Sequence, residues 1–537
     1  MEFDILTTLT VISLKRILRE AKLPLSGTKQ ILIDRIISNI DKNPYIKTYI
    51  DNHRKTPSCL ISKSSCKNQS KNQFIKIPKN KSKNKYDIDN EYILNNISNV
   101  NKNNVSLMMN NNIKCICLYS TGRVGIHKRE FVLFTAALMR NTSVKHLDIF
   151  GLTLSTTTIA IVKDILLQKQ LVSFDLSHCG NYQLDILEKL NECISNCTLD
   201  KLTLTIGLTD KKLVVLTPGL SSNRTIRSLT LRGISIKHIP PVILENDRLT
   251  YLDLSGNNID TRHFKPHMSL STLLLSRNKL DDCKIKSLCS NLEHSCIEHL
   301  DLSGNMFGTS SILYINDLLS KNKHIHTLDL TGNDVDTYGF SQLCNTIVQC
   351  RTLVRLYIDT CLFTTCPIEH IETLIRYDVL QELGLSYIFH FEMTSAVIDA
   401  LKNNRKLRYL GVSSVINKDD VEHFLAAIKM SSVDSLEISN NIIGEHGYIV
   451  GDILLNNRLI YLEMNNVSLT EASKQDILDG LVNNNSLVNI SARAEWTYGQ
   501  VRDNDDFEYR CEKYIKRNRK NQKTKRRTLL GMSIKKL

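Results

Sequence analysis

A short leucine pattern recurs along most of the chain and constrains its fold more than any other feature. Its clearest copies are LTYLDLSGNNI (249–259), LSTLLLSRNKL (270–280), IEHLDLSGNMF (297–307) and IHTLDLTGNDV (325–335). Weaker copies extend the repeated region to about residues 113–495, and most intervals are 26 to 28 residues. One such unit is too small to bury its own apolar face, so neighbouring units must stack and share a core.

Each copy predicts a short strand, a turn and a helix. In L-x-x-L-x-L the alternating apolar side chains point into the core, and the next apolar residue closes the turn. The ninth position often holds an amide side chain, which can bond backbone groups that the turn leaves unpaired. The residues at this position include Asn257, Asn278, Asn305, Asn333 and Asn441, with Cys179 and Cys361 in two other copies. Amphipathic stretches at 310–322, 394–404 and 419–430 predict helices.

This pattern resembles the long leucine-rich repeats, of the type seen in ribonuclease inhibitor and in Ran GTPase-activating protein. The resemblance implies an α/β fold, a leucine-rich-repeat solenoid shaped like a horseshoe. A parallel sheet would line its concave face and helices its convex face. The resemblance also implies that the concave face binds a protein partner.

An acidic residue stands between the last two apolar residues of L-x-x-L-x-L in seven copies. On a parallel sheet these side chains would form a column along the concave face, suited to a basic partner. The alternative is that they are merely solvated, since L-D-L-S is common in such repeats. The repeats at 353–417 break the column with Tyr357, Gly384 and Gly411, and we look for a specific contact there. The expected partner-binding residues are Asp148, Asp175, Asp253, Asp301, Asp329, Tyr357, Glu437 and Glu463.

Residues 1–53 predict a small α-helical hairpin domain ahead of the repeats. Ser13 can cap a first helix, Pro24 ends it, and Thr28 can cap a second helix, KQILIDRIISN. The L-P-x-S-G-x-K core and its flanking helices resemble a SAP motif, although Lys22 stands where that family usually has glycine. The resemblance implies DNA binding, with a reputation for AT-rich sequences.

A helix N-terminus offers unpaired backbone N–H groups to a phosphate, and basic side chains add neutralising charge. The expected DNA-binding residues are Lys15, Arg16, Arg19, Lys22, Ser26, Gly27, Thr28, Lys29 and Arg35. Such contacts position a protein on DNA without reading its sequence. The alternative is a hairpin that contacts protein.

The net charge of +14 lies outside the repeats. Residues 54–112 carry 11 basic and 3 acidic side chains and residues 510–537 carry 12 and 1, whereas residues 113–509 carry 38 and 45. We expect a basic flexible linker at 54–112, with a solenoid cap at 86–100, and a basic C-terminal tail at 510–537. The tail is an import signal, a nucleic-acid arm or a solvated segment. Its basic residues are Lys516, Arg517, Arg519, Lys520, Lys523, Lys525, Arg526 and Arg527.

The fifteen cysteines match no disulfide or zinc spacing. The closest pair is Cys115 and Cys117, and there is no C-x-x-C. Cysteines among apolar residues usually behave as small buried hydrophobes, so we expect a reducing environment and no metal site. No run of 18 to 20 apolar residues is present, which predicts an intracellular protein without a membrane partner.

Motifs for nucleotide binding, nucleophilic hydrolysis and zinc proteolysis are missing from the sequence. We therefore expect a non-enzymatic adaptor without a cofactor, which binds DNA through the hairpin and a protein through the concave face. Such a protein would be nuclear. The alternative is a protein-interaction scaffold or a ubiquitin-ligase-type substrate receptor without nucleic-acid binding. An enzyme regulator is a third interpretation.

Overall fold

The protein is described by a computed structural model that divides it into two compact units. One comprises residues 1–84 with 496–500, and the other comprises residues 85–495 with 501–537. The described residues are Leu18 and residues 29–39, 91–95, 113–119, 128–492 and 504–534, with gaps at 153, 180–182, 206, 362, 364–366 and 389–392. The backbone alone is described for residues 29, 91–95, 119, 128–130, 504–506 and 523–534.

In the first unit, helix α1 spans Lys29–Ile37 and confirms the second helix of the expected hairpin. It buries Leu32, Ile33 and Ile36, which lie on one face at helical spacing. Leu18 is helical and fully buried as well. The remainder of the predicted first helix lies outside the described residues.

In the second unit, sixteen strands of the described chain form one sheet in which every pairing is parallel. The strands are β1 (Glu91–Asn95), β2 (Cys115–Tyr119), β3 (His146–Phe150), β4 (Ser173–Ser177), β5 (Lys201–Thr205), β6 (Ser228–Thr230), β7 (Tyr251–Asp253), β8 (Thr272–Leu274), β9 (His299–Asp301), β10 (Thr327–Asp329), β11 (Arg355–Tyr357), β12 (Glu382–Gly384), β13 (Tyr409–Gly411), β14 (Ser435–Glu437), β16 (Tyr461–Glu463) and β18 (Asn489–Ser491). A separate small sheet pairs β15 (Ile442–Gly444) with β17 (Ser468–Leu469). The main sheet follows chain order, as a solenoid requires.

Helices follow most of the strands and cover one face of the sheet. They are α2 (Lys128–Arg140), α3 (Thr156–Gln168), α4 (Leu184–Asn196), α5 (Asp210–Ser222), α6 (Pro241–Leu244), α7 (Asp282–Leu292), α8 (Thr309–Lys321), α9 (Thr337–Cys350), α10 (Ile368–Arg376), α11 (Ser395–Asn403), α12 (Val421–Met430), α13 (Gly447–Leu455), α14 (Glu471–Asn483) and α15 (Asn504–Ile534). Side-chain caps fix several N-termini: Asp281 accepts from the Lys284 amide and Asp336 from the Gly339 amide. No helix within these ranges is long and apolar enough to cross a membrane.

The spacing of these elements explains the leucine-rich-repeat solenoid. Neighbouring strands lie about 4.8 Å apart, whereas packed helices need about 8–10 Å, so the sheet lines the concave side. The leucines of each copy lie between the two layers: Leu249, Leu252 and Leu254 are at most 3% exposed. The predicted fold is therefore confirmed.

The ninth-position asparagines join consecutive repeats, as their spacing predicted. The Asn305 amide nitrogen donates to the Leu302 carbonyl at 2.8 Å and to the Leu275 carbonyl at 3.1 Å. Its Oδ1 accepts from the backbone amides of Asn278 at 2.8 Å and Leu280 at 3.1 Å. One buried side chain thus satisfies four backbone groups in adjacent turns.

Helix α15 covers the C-terminal end of the solenoid, where a basic tail was expected. Phe507, Cys511 and Ile515 are buried in the common core, and Asn518 is fully buried. The Asn518 amide nitrogen donates to the Leu487 carbonyl at 3.0 Å, next to β18. This part of the basic segment closes the open end of a repeat array, which would otherwise expose its core.

Candidate functional site: the concave face

The predicted acidic column lies along the concave face, defined here as the face of the main sheet opposite the helices. Asp148 is in register with Asp175, Asp301 with Asp329, and Glu437 with Glu463. Thr203, Thr230 and Leu274 occupy the same row around Asp253, and Tyr357, Gly384 and Gly411 fill the longer break. The predicted alignment is confirmed, whereas its binding of a partner stays a prediction.

The aspartates of this column also accept hydrogen bonds from backbone amides just beyond their own strands. Oδ1 of Asp301 accepts a hydrogen bond from the Ser303 amide at 2.8 Å, and Oδ1 of Asp329 accepts one from the Thr331 amide at 2.9 Å. Asp253 bonds the Ser255 amide in the same way, at 2.8 Å. These bonds satisfy N–H groups at the point where the sheet ladder stops. The carboxylates are therefore structural as well as charged.

Burial and mutual repulsion raise the pKa values of several of these carboxyls. Burial first, and the charge of Asp148 second, raise the pKa of Asp175 to about 7. Burial and the charge of Asp301 raise the pKa of Asp329 to about 6. Protons thus remain on part of the column near neutral pH, and an approaching cation would displace them.

The break in the column holds a tyrosine–carboxylate cluster, formed by Tyr357, Asp359, Glu382, Tyr409 and Glu437. The Tyr357 hydroxyl donates to Glu382, and the Tyr409 hydroxyl donates to Oε2 of Glu437 at 3.0 Å. The two rings meet edge to face, with centroids 6.1 Å apart. The two tyrosines and two glutamates are therefore held in fixed positions at the centre of this surface.

Gly384 and Gly411 make room for this cluster. A Cβ at Gly384 would lie 2.8 Å from Oδ2 of Asp359 and 2.9 Å from Cδ1 of Tyr357. A Cβ at Gly411 would lie 3.0 Å from the Tyr409 hydroxyl oxygen. The two glycines that interrupt the acidic row thus leave space for side chains of the cluster.

Asp359 and Glu382 are site residues that the sequence analysis missed. Burial, followed by the charges of Asp329 and Glu437, raises the pKa of Asp359 to about 7. Glu382 also forms an ion pair with Arg355, in which Nε of Arg355 lies 2.9 Å from Oε1 of Glu382. The available signal was that Asp359 stands where the copies at 249–259 and 297–307 have serine.

The structure describes two of the predicted DNA-binding residues. Lys29 is the first residue of α1, and Arg35 is half-buried in its last turn. The others, Lys15, Arg16, Arg19, Lys22, Ser26, Gly27 and Thr28, lie outside the described residues. The structure therefore places a basic residue at each end of the second hairpin helix.

Two of the predicted basic-tail residues bind the solenoid. Arg517 donates to the carbonyls of Leu481 at 3.0 Å, Val482 at 2.6 Å and Asn484, at the C-terminus of α14. Arg519 donates to the Val488 carbonyl at 2.6 Å. Lys516 pairs with Glu512 at 3.2 Å, and Lys520 also lies on α15. The side chains of Lys523, Lys525, Arg526 and Arg527 lie outside the described part of the structure.

Comparison with known proteins supports both parts of this organisation. Residues 5–41 match the family model of the SAP domain, so a SAP domain lies at the N-terminus. The mouse NACHT, LRR and PYD domains-containing protein 14 is 28% identical over 235 residues, which are 42% of this chain and 24% of that protein. Pig ribonuclease inhibitor is 26% identical over 226 residues, covering 40% of this chain and 45% of the inhibitor. The chain spans about a quarter of the first of these relatives.

Two solved structures match part of this chain at low sequence identity. An internalin from Listeria monocytogenes has a TM-score of 0.30 at 15% identity, covering 67% of this chain and 83% of the internalin. A TLR13–ssRNA13 complex has a TM-score of 0.44 at 13% identity, covering 72% of this chain and 64% of the TLR13 chain.

Proposed function

We propose that this chain, in which a SAP domain precedes a leucine-rich-repeat solenoid, is a non-enzymatic adaptor. The SAP domain binds duplex DNA with little sequence preference, and the concave face binds a basic region of a protein partner. Binding of a basic partner is supported by the in-register alignment of acidic residues on the concave face. An adaptor of this kind acts inside the cell, in the nucleus.

The electrostatics favour a basic partner on the concave face. Neighbouring carboxyls with raised pKa values repel one another, and a lysine or arginine between them relieves that repulsion. The tyrosine–carboxylate cluster adds aromatic surface at the middle of the row, where interface hot spots are enriched in tyrosine. The name of the pig relative, ribonuclease inhibitor, supports protein binding by such a solenoid.

DNA binding is tested with the full-length chain and a fluorescent duplex, by anisotropy over a range of salt concentrations. Lys29→Ala and Arg35→Ala are each expected to weaken binding and to lower the salt slope by about 1, as lost phosphate contacts do. Lys211→Ala, an exposed lysine of α5, is the control and leaves both quantities unchanged. Salt-insensitive binding, or binding equal in all variants, would contradict the DNA-binding half and favour the scaffold alternative.

Partner binding is tested by affinity capture with the double variant Asp301→Asn/Asp329→Asn. Asparagine keeps an acceptor for the Ser303 and Thr331 amides but removes the charge, so the fold is retained. We expect at least a tenfold loss of partner affinity, equivalent to about 1.4 kcal/mol. Asp317→Asn on helix α8 is the matched control. A partner retained equally by both variants would place its binding site elsewhere.

A further inference from the structure

Two neighbouring strands at the N-terminal end of the sheet place three potential metal ligands together. Strands β2 and β3 pair in parallel with Cys117 opposite Asp148, and Cys115 lies two residues before Cys117 on the same face. The Cys115 and Cys117 sulfurs are 4.0 Å apart, and the Cys117 sulfur lies 3.2 Å from Oδ2 of Asp148. Within the described residues, Cys115, Cys117 and Asp148 form the cluster of three potential metal ligands whose ligand atoms all lie within 4.8 Å of one another.

These separations match the edges of a zinc coordination tetrahedron. Zn–S bonds of about 2.3 Å and Zn–O bonds of about 2.0–2.2 Å put two sulfurs about 3.8 Å apart, and a sulfur and an oxygen about 3.6 Å apart. A disulfide between the same cysteines would need a sulfur separation of about 2.05 Å. The three side chains are therefore already close to the positions that a shared cation would impose.

We propose that Cys115, Cys117 and Asp148 bind a zinc ion. Two sulfur ligands select a borderline-soft cation such as Zn²⁺ over Ca²⁺ or Mg²⁺, which prefer oxygen. The cysteines are 8% and 3% exposed, so the sulfurs are protected from bulk solvent. Three protein ligands leave the fourth coordination position to a water molecule.

His146 lies beside this site and is not assigned as a ligand. His146 is the register partner of Cys115, and its Nδ1 lies 2.9 Å from the Ser173 hydroxyl oxygen. The His146 ring therefore already has a partner on β4. Spacing alone predicted no metal site here because the ligands come from two repeats, 31 residues apart.

A zinc ion here would fasten the first repeats of the solenoid together. Strands β2 and β3 lie near the N-terminal end of the sheet, next to β1, and metal binding would add its free energy to folding there. The ion would also neutralise Asp148 at the beginning of the acidic column. The expected consequences are a more stable N-terminal end and a less negative one.

The test begins with full-length protein purified under reducing conditions, with zinc measured by inductively coupled plasma mass spectrometry. We expect one zinc per chain. After chelation, titration with Co²⁺ is expected to give thiolate-to-cobalt charge-transfer absorption and the visible bands of tetrahedral cobalt. Added Zn²⁺ is expected to raise the melting temperature of the chelated protein.

Variants then assign the ligands. Cys117→Ser and Asp148→Asn are each expected to weaken metal binding by about 100-fold or more, beyond the 10–100-fold typical of changes outside the ligand set. Cys283→Ser, an exposed cysteine, and Asp164→Asn, an exposed carboxylate of α3, are the matched controls and keep the site. If a ligand variant fails to fold, the comparison of metal-free and metal-loaded wild type carries the test alone.

Three results would overturn the proposal. The first is wild-type protein without bound zinc whose melting temperature does not respond to added Zn²⁺. The second is cobalt absorption that lacks the charge-transfer band or that Cys283→Ser abolishes as fully as Cys117→Ser. The third is a disulfide between Cys115 and Cys117, found by non-reducing peptide mapping of freshly isolated protein.

Discussion

Replacing Arg517 tests whether the C-terminal basic segment is part of the solenoid. Its guanidinium donates to three carbonyls at the end of helix α14 and to Oδ1 of Asn518 at 3.2 Å. It also lies over the ring of Tyr514, with Cζ 5.3 Å from the centroid. Arg517→Met keeps the apolar stem and removes every one of these polar contacts.

The expected cost follows from the three carbonyls. A hydrogen bond from a charged group contributes about 1.5–3 kcal/mol, and water recovers part of this because the side chain is only half-buried. At about 1 kcal/mol for each carbonyl, the C-terminal repeat loses about 3 kcal/mol. Arg517→Lys retains a charge near the helix C-terminus but cannot span three carbonyls, so its effect should be intermediate.

Hydrogen exchange read by mass spectrometry measures this loss directly. Peptides covering residues 471–492 should exchange roughly 100-fold faster in Arg517→Met, as 3 kcal/mol corresponds to about two decades. Lys513→Met, an exposed position on the same helix, is the control and should exchange like wild type. Wild-type exchange in Arg517→Met would refute the capping role of this side chain and leave the segment as an import signal, a nucleic-acid arm or a solvated segment.

Three further predictions concern the interior and the concave face. Asn305→Ala removes four hydrogen bonds and should cost about 3–5 kcal/mol in urea unfolding, whereas Ser290→Ala, at an exposed position of α7, should cost little. The pKa of Asp175 is raised from 3.8 to about 7 in the folded protein, so its ionisation opposes folding as the pH rises. Asp175→Asn should therefore raise the free energy of unfolding by about 1–3 kcal/mol at pH 8 and change it little at pH 4, as measured by urea unfolding. Binding of a basic partner should strengthen between pH 6 and pH 8 as Asp359 loses its proton, measured by calorimetry in Asp359→Asn and wild type, and a pH-independent affinity would contradict it.

The strands, the core and the asparagine bonds could be predicted because the residue types that form them recur at fixed positions in the repeat. Leu252 and Leu254 alternate with Asp253, and this spacing of two defines both the buried face and the acidic row. The asparagine prediction needed only one fact, that a turn leaves backbone groups unpaired beside the ninth position. A single copy thus contained the information for the whole array.

The remaining features depend on contacts between repeats, which spacing does not encode. Asp359 joins the concave site because Gly384, on the next strand, leaves room for its carboxylate. Cys115 and Cys117 meet Asp148 only when β2 and β3 align. The C-terminal cap was not predicted because the many lysines and arginines of α15 indicate a solvated tail. The helical spacing of the buried Phe507, Cys511 and Ile515 is a weaker signal in this sequence.

The asparagine row is interrupted in the same repeats as the acidic column, and this has a mechanical consequence. After Asn333 the ninth position holds Cys361, Ile388 and Val415, and the amide returns at Asn441. The Cys361 sulfur makes one 3.5 Å contact with the Leu330 carbonyl, in place of the four bonds made by Asn305. These three repeats therefore lack the side-chain bonds that join the repeats between 249 and 335, and we expect the solenoid to bend more easily here than in that stretch. The tyrosine–carboxylate cluster lies in this stretch, so a partner bound there would stiffen these repeats.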